Sequence, residues 1–353
     1  MNEERLLEAL KTVRYPGFSR DIVSFGLVRD LKLEGGHATV LLAVTTADSS
    51  IPSKLSAECE NALLAVPGVK KATVNISVQA TRAPSDAPKD KDEKPAISGV
   101  KAIVAVASGK GGVGKSTVAV NIACAMDKLL RRGRGCKGVG VLDCDIYGPS
   151  IPLMLGASGR PEVLNGRIQP ETAQGMKIMS MGLLLDDDSP VVWRGPMVTS
   201  AIVQFVKDVE WGELDVLVVD LPPGTGDAQL ALTQNIPVTG AVIVTTPQKA
   251  AVTVARRGAR MFSKVNVPLI GVIENMSYLE MPDGSRNPIF GSGGGAATAK
   301  ALETALLAEV PLEAGVREGS DEGLPAVLSA PDSPAAKEFF KAAEGILKAL
   351  GLA

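Results

Sequence analysis

One nine-residue run constrains this chain more than any other feature of its sequence. Residues 109–117 read Gly-Lys-Gly-Gly-Val-Gly-Lys-Ser-Thr, and the apolar stretch 102–107 precedes them. Glycines allow consecutive backbone N–H groups to curl around anionic oxygens, and a helix that begins at Ser116 would point its positive end at the same charge. The run therefore predicts a phosphate-binding loop between a buried strand and a helix, and hence a nucleotide-binding protein.

The residues of this loop have distinct expected roles. We expect Lys115 to reach the β- and γ-phosphates of the nucleotide and the Ser116 hydroxyl to bind Mg²⁺. We expect nucleotide contacts along the whole loop, at Gly109, Lys110, Gly111, Gly112, Val113, Gly114, Lys115, Ser116 and Thr117.

Composition limits the classes of protein to which the chain can belong. Its 353 residues are enough for about two domains, and 37 basic against 39 acidic residues give a net charge of −2. Such a charge predicts no strong sequence-independent attraction to nucleic acid. The first residues are polar and acidic, and no apolar run approaches ~18 residues. We therefore expect a soluble cytoplasmic protein without stable membrane association.

The cysteines and the single histidine indicate no self-contained metal site. Cys59, Cys124, Cys136 and Cys144 occur without Cys-x-x-Cys spacing, which argues against a disulfide framework and against structural zinc. We expect Cys59 and Cys124 to be buried, inert thiols. His37 lies at the start of a predicted strand, where a structural role in a hairpin is favoured over metal binding.

Composition also divides the chain into a small domain at 1–80, a linker at 81–99 and a larger domain at 100–353. The linker is charged and rich in proline. Apolar spacing in the small domain predicts the order α-β-β-α-β. The predicted helices are residues 4–13 and 53–64, and the predicted strands are 25–33, 38–46 and 72–78.

Apolar strand-like runs recur between helical segments in the larger domain. This alternation predicts an α/β fold with a mostly parallel sheet flanked by helices. Ligands of such sheets bind beyond the carboxyl ends of the strands. The predicted strands are residues 103–107, 139–142, 216–219, 241–244 and 269–273.

Three acidic residues follow these strands. Asp220 ends one run and opens a loop rich in glycine and proline, where a carboxylate is well placed for the Mg²⁺ shell. Asp143 and Asp145 end another run. Two carboxylates spaced by one residue project to the same side of an extended chain, so we expect both to face the phosphates, where they would join the metal shell or orient water.

Four further runs extend the pattern beyond the phosphate loop. They are residues 143–150 (Asp-Cys-Asp-Ile-Tyr-Gly-Pro-Ser), 220–227 (Asp-Leu-Pro-Pro-Gly-Thr-Gly-Asp), 246–248 (Thr-Pro-Gln) and 274–277 (Glu-Asn-Met-Ser). Together with the deviant Walker A run at 110–117, they resemble the Mrp/ApbC branch of the family that contains MinD, ParA and nitrogenase iron protein. Residues 1–80 resemble the small iron–sulfur assembly domain of many bacterial members. The resemblance covers nearly the whole chain.

Mrp/ApbC proteins are iron–sulfur cluster carrier ATPases, so the resemblance implies a P-loop NTPase that uses ATP and Mg²⁺. It also implies slow hydrolysis and a homodimer that acts on iron–sulfur apoproteins or with assembly factors. Lys110 would reach across the dimer interface to the partner's nucleotide, and Asp145 would orient the attacking water. The expected catalytic residues are thus Lys110, Lys115 and Asp145.

The same resemblance implies further ligands. Asp143 and Asp220 would join Ser116 around Mg²⁺, and Asn275 would contact adenine. From the sequence alone, an asparagine in a loop is more often a turn residue.

The chain departs from the family pattern at the cluster ligands. The family typically carries Cys-x-x-Cys shortly after the Asn-Met-Ser motif, whereas residues 278–285 here read Tyr-Leu-Glu-Met-Pro-Asp-Gly-Ser. Iron–sulfur clusters usually need thiolates. Two hypotheses follow for a [4Fe–4S] cluster: other thiols such as Cys144 or Cys136 hold it, or the protein acts in assembly without binding a cluster. The cluster ligands are unknown from the sequence.

Other classes of function and two further segments have to be weighed. The alternatives are a spatial regulator of the MinD/ParA type and an accessory ATPase that holds no cluster or barely turns ATP over. A helix from Ala336 has one apolar face and a polar face of mixed sign, which favours packing on the core or a partner over a membrane. The glycine cluster at 291–296 is interpreted as a mobile loop or a helix start rather than a second phosphate site.

Overall fold

Separate hydrophobic cores divide the chain into two units, Met1–Lys91 and Asp92–Ala353. The computed structural model describes residues 3–13, 21–23, 27–46, 50–80, 97–133, 135–145, 148–164, 166–184, 195–224 and 227–353. Most of the predicted linker, residues 81–96, lies outside these described residues.

The first unit has the predicted order of helices and strands. Its elements are α1 (Glu3–Leu10), β1 (Val28–Glu34), β2 (His37–Thr46), α2 (Ser50–Leu64) and β3 (Lys71–Ala80). β2 pairs antiparallel with β1 and parallel with β3, and the apolar sides of the two helices fill the core. The His37 ring is hydrogen-bonded through Nε2 to Thr73 Oγ1 at 2.8 Å, which joins β2 to β3 as a structural contact.

The second unit begins with β4 (Val100–Ser108), which is buried from residue 102 onwards. Its further elements are α3 (Lys115–Leu130), β5 (Val139–Asp143), α4 (Ile151–Leu155), β6 (Val163–Leu164), β7 (Arg167–Ile168), β8 (Glu171–Ala173), β9 (Met176–Ser180), α5 (Gly195–Asp208), β10 (Leu214–Asp220), α6 (Asp227–Asn235), β11 (Gly240–Thr245), α7 (Lys249–Lys264), β12 (Leu269–Glu274), β13 (Leu279–Glu280), β14 (Arg286–Asn287), α8 (Gly294–Ala301), β15 (Ala305–Glu309), α9 (Ala314–Asp321), α10 (Ala326–Ser329) and α11 (Pro334–Ala349).

An eight-stranded sheet forms the centre of this unit, and its order is β15-β12-β11-β4-β10-β5-β9-β8. All neighbouring strands are parallel except β8 and β9. Alternate residues of β4 belong to different cores: Val104 and Val106 pack in one cluster, and Ile103 and Ala105 pack in the other. Both faces of the sheet are therefore covered, which confirms the predicted α/β fold.

The C-terminal helix α11 packs on the core. Ser333 caps it by accepting a hydrogen bond of 3.2 Å from the Ala336 N–H, and Pro334 fits the first turn, where no N–H is needed. Phe339 and Ile346 are fully buried in the cluster that contains α3. The apolar face is thus occupied within the chain. Among the described residues, no helix is long and apolar enough to cross a membrane.

Candidate functional site: a phosphate loop beside paired carboxylates

The phosphate-binding loop connects the carboxyl end of β4 to the first turn of α3. β4 ends at Ser108, and α3 begins at Lys115, one residue earlier than predicted. The backbone of Gly109 packs against α7, because a Cβ atom at this position would lie 2.4 Å from the carbonyl carbon of Val254. The first position of the loop therefore has no room for a side chain, and α7 supports the loop from outside.

Gly114 ends the loop in a conformation that suits glycine. Its φ of 77° is left-handed, which costs a residue with a Cβ atom about 1–2 kcal/mol. A Cβ atom here would also lie 2.2 Å from Nδ2 of Asn275. That amide donates a hydrogen bond of 2.9 Å to the carbonyl oxygen of Val113. Strain and crowding thus both require glycine at this position.

We expect Gly114→Ala to raise the Kd for ATP by at least ~10-fold, since a change of about 1.4 kcal/mol is sufficient for that effect. The added methyl group strains the backbone and displaces Asn275. Isothermal titration calorimetry with ATP measures the change. Gly315→Ala is the matched control, because a Cβ atom there meets open space. Equal ATP affinity in both variants would contradict the role assigned to Gly114.

The carboxylate of Asp220, at the end of β10, contacts both functional groups of the first turn of α3. Lys115 Nζ donates to Oδ1 at 2.6 Å, and the Ser116 hydroxyl donates to Oδ2 at 2.6 Å. Asp220 is fully buried and Lys115 is 6% exposed. Burial raises the pKa of Asp220, and the contacts with Lys115 and Ser116 counteract this rise. The lysine predicted to bind phosphate therefore forms an ion pair with the aspartate predicted to bind the metal.

Asp143 ends β5, and the sheet register places it opposite Asp220. Its side chain is buried, and the Ser180 hydroxyl donates to its Oδ2 at 3.0 Å. Burial, followed by the negative charge of Asp220, raises the pKa of Asp143 to about 7. The site thus holds two neighbouring buried carboxylates, and the ammonium of Lys115 lowers the pKa of each.

These oxygen atoms fit a magnesium ion. Mg²⁺ prefers hard oxygen ligands and keeps several waters or phosphate oxygens in its shell. Ser116, Asp143 and Asp220 supply a hydroxyl and two carboxylates at one edge of the sheet, beside the phosphate loop. A cation there would relieve the repulsion that raises the pKa of Asp143. The donor set therefore suits the metal that the sequence predicts.

Asp145 lies two residues beyond the end of β5, and its role in the site stays a prediction. β5 ends at Asp143, and the Asp145 N–H donates to Asp143 Oδ1 at 3.0 Å. This hydrogen bond forms an Asx turn, and side chains alternate only along extended backbone. Asp145 is half-buried, and its charge contributes to the raised pKa of Asp220. Asp145 is therefore close enough to Asp220 for its charge to act on that carboxylate.

Lys110 is exposed, in contrast to the buried Lys115 of the same loop. The Ser108 hydroxyl donates to the Lys110 carbonyl at 3.1 Å, and the Gly224 N–H donates to the Ser108 carbonyl at 3.2 Å. The loops that follow β4 and β10 are therefore hydrogen-bonded to each other. Residues 225–226 of the second loop lie outside the described residues.

Asn275 contacts the phosphate loop, and sequence reasoning missed the residue that positions it. Glu274 is fully buried; its carboxylate accepts a hydrogen bond of 2.6 Å from the Ser277 hydroxyl and another from the Gly295 N–H. These bonds hold the turn at Met276, whose φ is 54°. A contact of Asn275 with adenine stays a prediction. A glutamate at the end of an apolar strand, two residues before Met-Ser, was the available signal.

The same carboxylate explains the second glycine cluster. Helix α8 begins at Gly294, and Glu274 lies at its positive N-terminal end. The chain's own carboxylate thus occupies the position where a phosphate would bind, which confirms a helix start at this cluster.

Cys144, one of the two thiols considered as cluster ligands, lies in the core. It is fully buried, and burial, followed by the charge of Asp143, raises its pKa well above the ordinary value. Cys59 and Cys124 are buried as predicted, and burial raises the pKa of each to about 12. A thiol must lose its proton to bind iron. The environment of these three cysteines opposes that step.

Cys136 lies at the amino ends of the strands, on the opposite side of the sheet from the phosphate loop. It precedes β5, whereas the phosphate loop and Asp143 lie at the carboxyl ends of the strands. Burial also raises the pKa of its thiol. Among the described residues, no group of three or more His, Cys, Asp or Glu side chains has an arrangement that could hold a metal ion. The structure therefore brings Cys136 and Cys144 to no common site.

Comparisons with known proteins identify relatives of both units. Residues 99–347 match the family model described as NUBPL iron-transfer P-loop NTPase, and residues 3–76 match the model of an iron–sulfur cluster assembly protein. An iron–sulfur cluster carrier protein from Synechocystis sp. is 42% identical over 360 residues, which span 100% of this chain and 99% of the relative.

Solved structures share the fold of the second unit. A nucleotide-binding protein from Archaeoglobus fulgidus, in complex with ADP, has a TM-score of 0.60 and 37% identity over 71% of this chain and 97% of that protein. The cell division ATPase MinD from Pyrococcus furiosus has a TM-score of 0.52 and 25% identity over 70% of this chain and 99% of that protein.

Proposed function

Because the chain belongs to the family of NUBPL iron-transfer P-loop NTPases, we propose that it hydrolyses ATP with Mg²⁺ and uses this reaction in the transfer of iron–sulfur clusters to apoproteins. The observation that carries the ATPase proposal is the contact of Lys115 and Ser116 with the buried Asp220. The relatives' names and the match of residues 3–76 to an iron–sulfur assembly model support the proposed cargo.

The residues at the carboxyl ends of the strands have different roles in phosphoryl transfer. Hydrolysis depends on positioning and charge neutralisation rather than on covalent chemistry of the protein. The loop N–H groups and Lys115 bind and orient the phosphates, while Asp220 and Ser116 hold the metal side of the nucleotide. Bound Mg²⁺ supplies further neutralisation of the phosphate oxygens. Asp145, half-buried beside Asp220, orients the attacking water.

We further propose that the chain works as a homodimer in which Lys110 reaches the partner's nucleotide. Its exposure supports this role, because an exposed lysine in a phosphate loop is free to extend away from its own site. The buried Lys115 already serves the nucleotide of its own subunit.

We expect Lys110→Ala to lower ATP turnover by about 10²-fold, the effect of removing one preorganised charge-stabilising group, while ATP affinity changes little. The turnover rate of the wild-type protein should rise more steeply than in proportion to protein concentration, because only the dimer brings Lys110 of one subunit to the nucleotide of the other. Steady-state hydrolysis over a range of concentrations measures this. Lys337→Ala, an exposed lysine on α11, is the control. Wild-type turnover in Lys110→Ala would exclude the proposed role.

We propose that the cysteines of one chain do not form a complete cluster site. Two observations support the hypothesis of an accessory ATPase that holds no cluster itself. Burial raises the pKa of Cys59, Cys124 and Cys144, and Cys136 lies far from the site. Anaerobic reconstitution with iron and sulfide should leave no stoichiometric cluster on the isolated protein, with ATPase activity intact. A stoichiometric cluster that disappears in Cys144→Ala would instead establish a carrier with a relocated ligand.

A further inference from the structure

Helix α7 presents a row of positive charge on its outer face. Lys249, Arg257, Arg260 and Lys264 are separated by eight, three and four residues, which are close to whole turns of a helix with 3.6 residues per turn. Arg256 lies beside them, so all five are on one side of the helix. No aspartate or glutamate occurs between Lys249 and Lys264. At about 1.5 Å per residue, the row from Lys249 to Lys264 is about 22 Å long.

The basic side chains of this row face solvent and are largely uncompensated. Lys249, Arg257, Arg260 and Lys264 are exposed, and Arg256 is half-buried. The ion pairs among the described residues include none of the five. Arg256 points toward the neighbouring helix α8, because its Nη2 donates a hydrogen bond of 2.8 Å to the Ala297 carbonyl.

The remaining four exposed side chains stand out because the protein as a whole is slightly acidic, with a net charge of −2. A local excess of one sign on a protein of the opposite overall sign favours a partner with a complementary local surface. An extended polyanion would meet repulsion from the rest of the molecule. The charge distribution therefore favours a discrete acidic surface as the occupant.

The side chains on this face also argue against a lipid membrane as its binding partner. A helix that lies in a membrane interface exposes large apolar residues beside its basic ones. The large apolar residues Met261 and Phe262 of α7 are buried in the core, and the exposed positions between the basic residues include Thr253 and Ser263. Among the exposed positions of α7, Ala250 alone is apolar, and its side chain is small. The few exposed charges of this row would neutralise few phosphates of duplex DNA, and each neutralised phosphate adds to the affinity for DNA.

We propose that the outer face of α7 is a docking surface for a partner protein that presents an acidic segment. The position of α7 gives this surface a connection to the nucleotide site. The backbone of Val254 and Ala255 packs directly against Gly109 of the phosphate loop. A partner bound to the outer face therefore lies one helix diameter from the loop that binds ATP. The proposal does not depend on the identity of the cargo.

The test uses the full-length protein and a fluorescent alanine-based helical peptide with a glutamate at every fourth position. The variant Arg257→Glu/Arg260→Glu reverses two charges of the row. Lys337→Glu/Lys348→Glu, on exposed positions of α11, changes the net charge equally and is the matched control. The same peptide with glutamine, duplex DNA, and vesicles of phosphatidylglycerol and phosphatidylcholine serve as competing probes. Fluorescence anisotropy at low and high salt gives Kd.

We expect the wild-type protein to bind the glutamate peptide more tightly than the other probes, with affinity that falls as salt rises. Reversal on α7 should raise the Kd at least ~10-fold, while the control changes it less than ~2-fold. ATP hydrolysis should be unchanged in both variants. If the α7 reversal unfolds the protein, Arg257→Gln/Arg260→Gln provides the same comparison.

Three results would overturn the proposal. They are no binding of the peptide by the wild-type protein, equal loss in the α7 and α11 variants, and tighter binding of DNA or vesicles that the α7 reversal abolishes. Failure of the proposed ATPase function is a separate result, because it concerns hydrolysis in the wild-type protein without any peptide.

Discussion

Lys115→Ala is expected to lower kcat/KM for ATP hydrolysis by about 10²–10³-fold or more, which is the effect of removing one preorganised group that stabilises charge in a transition state. Lys115 is the cation that lies beside the buried carboxylate of Asp220, at 2.6 Å. Its removal withdraws positive charge from the phosphates. Steady-state hydrolysis with purified protein at saturating Mg²⁺ measures the loss.

The same substitution should also destabilise the nucleotide-free protein. Removing one partner of a buried ion pair typically costs about 3–5 kcal/mol, because the remaining charge is left without compensation. Asp220 is fully buried, and its pKa would rise further without Lys115. Thermal unfolding should therefore show a lower Tm for Lys115→Ala than for the wild-type protein.

A double variant tests whether the loss of hydrolysis in Lys115→Ala follows merely from its loss of stability. Lys115→Met/Asp220→Asn removes both charges and should recover most of the lost stability, while hydrolysis stays at the level of Lys115→Ala. Recovery of hydrolysis together with stability would show that Lys115 matters for folding alone. That outcome would contradict its assignment as a phosphate-binding residue.

Asp145→Asn is expected to lower kcat by at least ~10²-fold, the effect of losing a group that positions or activates the attacking water. ATP affinity should change little, because the phosphates are held by the loop and by Lys115. The amide keeps the size of the side chain, and the Asp145 N–H that bonds Asp143 is a backbone group. A comparison of single-turnover hydrolysis with the Kd for ATP separates the two effects.

The matched control for this variant is Asp283→Asn. Asp283 is an exposed carboxylate in the turn between β13 and β14, where it accepts hydrogen bonds from Ser285. The Asp283→Asn variant should hydrolyse ATP at the wild-type rate. Weaker ATP binding with an unchanged rate of the chemical step in Asp145→Asn would assign Asp145 to nucleotide or metal binding rather than to water.

The central strands and the phosphate loop were predictable because local chemistry determines them. Five continuous apolar runs predict β4, β5, β10, β11 and β12, since strands buried on both faces need apolar residues at every position. The glycine pattern predicts the loop in the same local way. The order α-β-β-α-β of the first unit followed from apolar spacing.

The strands at the sides of the sheet were missed. β9 is interrupted by Lys177, and β15 is exposed at its first residue, so neither forms a continuous buried run. Their assignment depends on pairing with β5 and β12, residues far away in the sequence. Such pairing is a tertiary effect that a local pattern does not contain.

The site shows the same division between local and tertiary information. The sequence indicated Asp220 and Asp143 from their places at strand ends, and the register brings them together. It did not indicate Ser180, which donates to Asp143 from β9, or Glu274, which bonds Gly295. The only signal for Glu274 was its place at the end of an apolar strand, and Ser180 had none, because each residue acts through a partner that only the fold brings near.

The C-terminal helix bears on the alternative function of a spatial regulator. A membrane-targeting helix must release its apolar face, and Phe339 and Ile346 of α11 are instead fully buried against the core. MinD shares the fold of the second unit with this chain. Co-sedimentation with phosphatidylglycerol vesicles, with and without ATP, should therefore recover the protein in the soluble fraction. ATP-dependent recovery with the vesicles would favour the regulator.

The most direct test of the proposed function is the activation of an apoprotein that requires a [4Fe–4S] cluster. The rate of its anaerobic activation is measured with iron, sulfide and the wild-type protein, with and without ATP and Mg²⁺, and compared with the rate for Lys115→Ala. We predict that ATP accelerates activation several-fold with the wild-type protein and has no effect with Lys115→Ala. Equal rates for both proteins, whether or not ATP is present, would contradict a role of ATP hydrolysis in iron–sulfur cluster transfer.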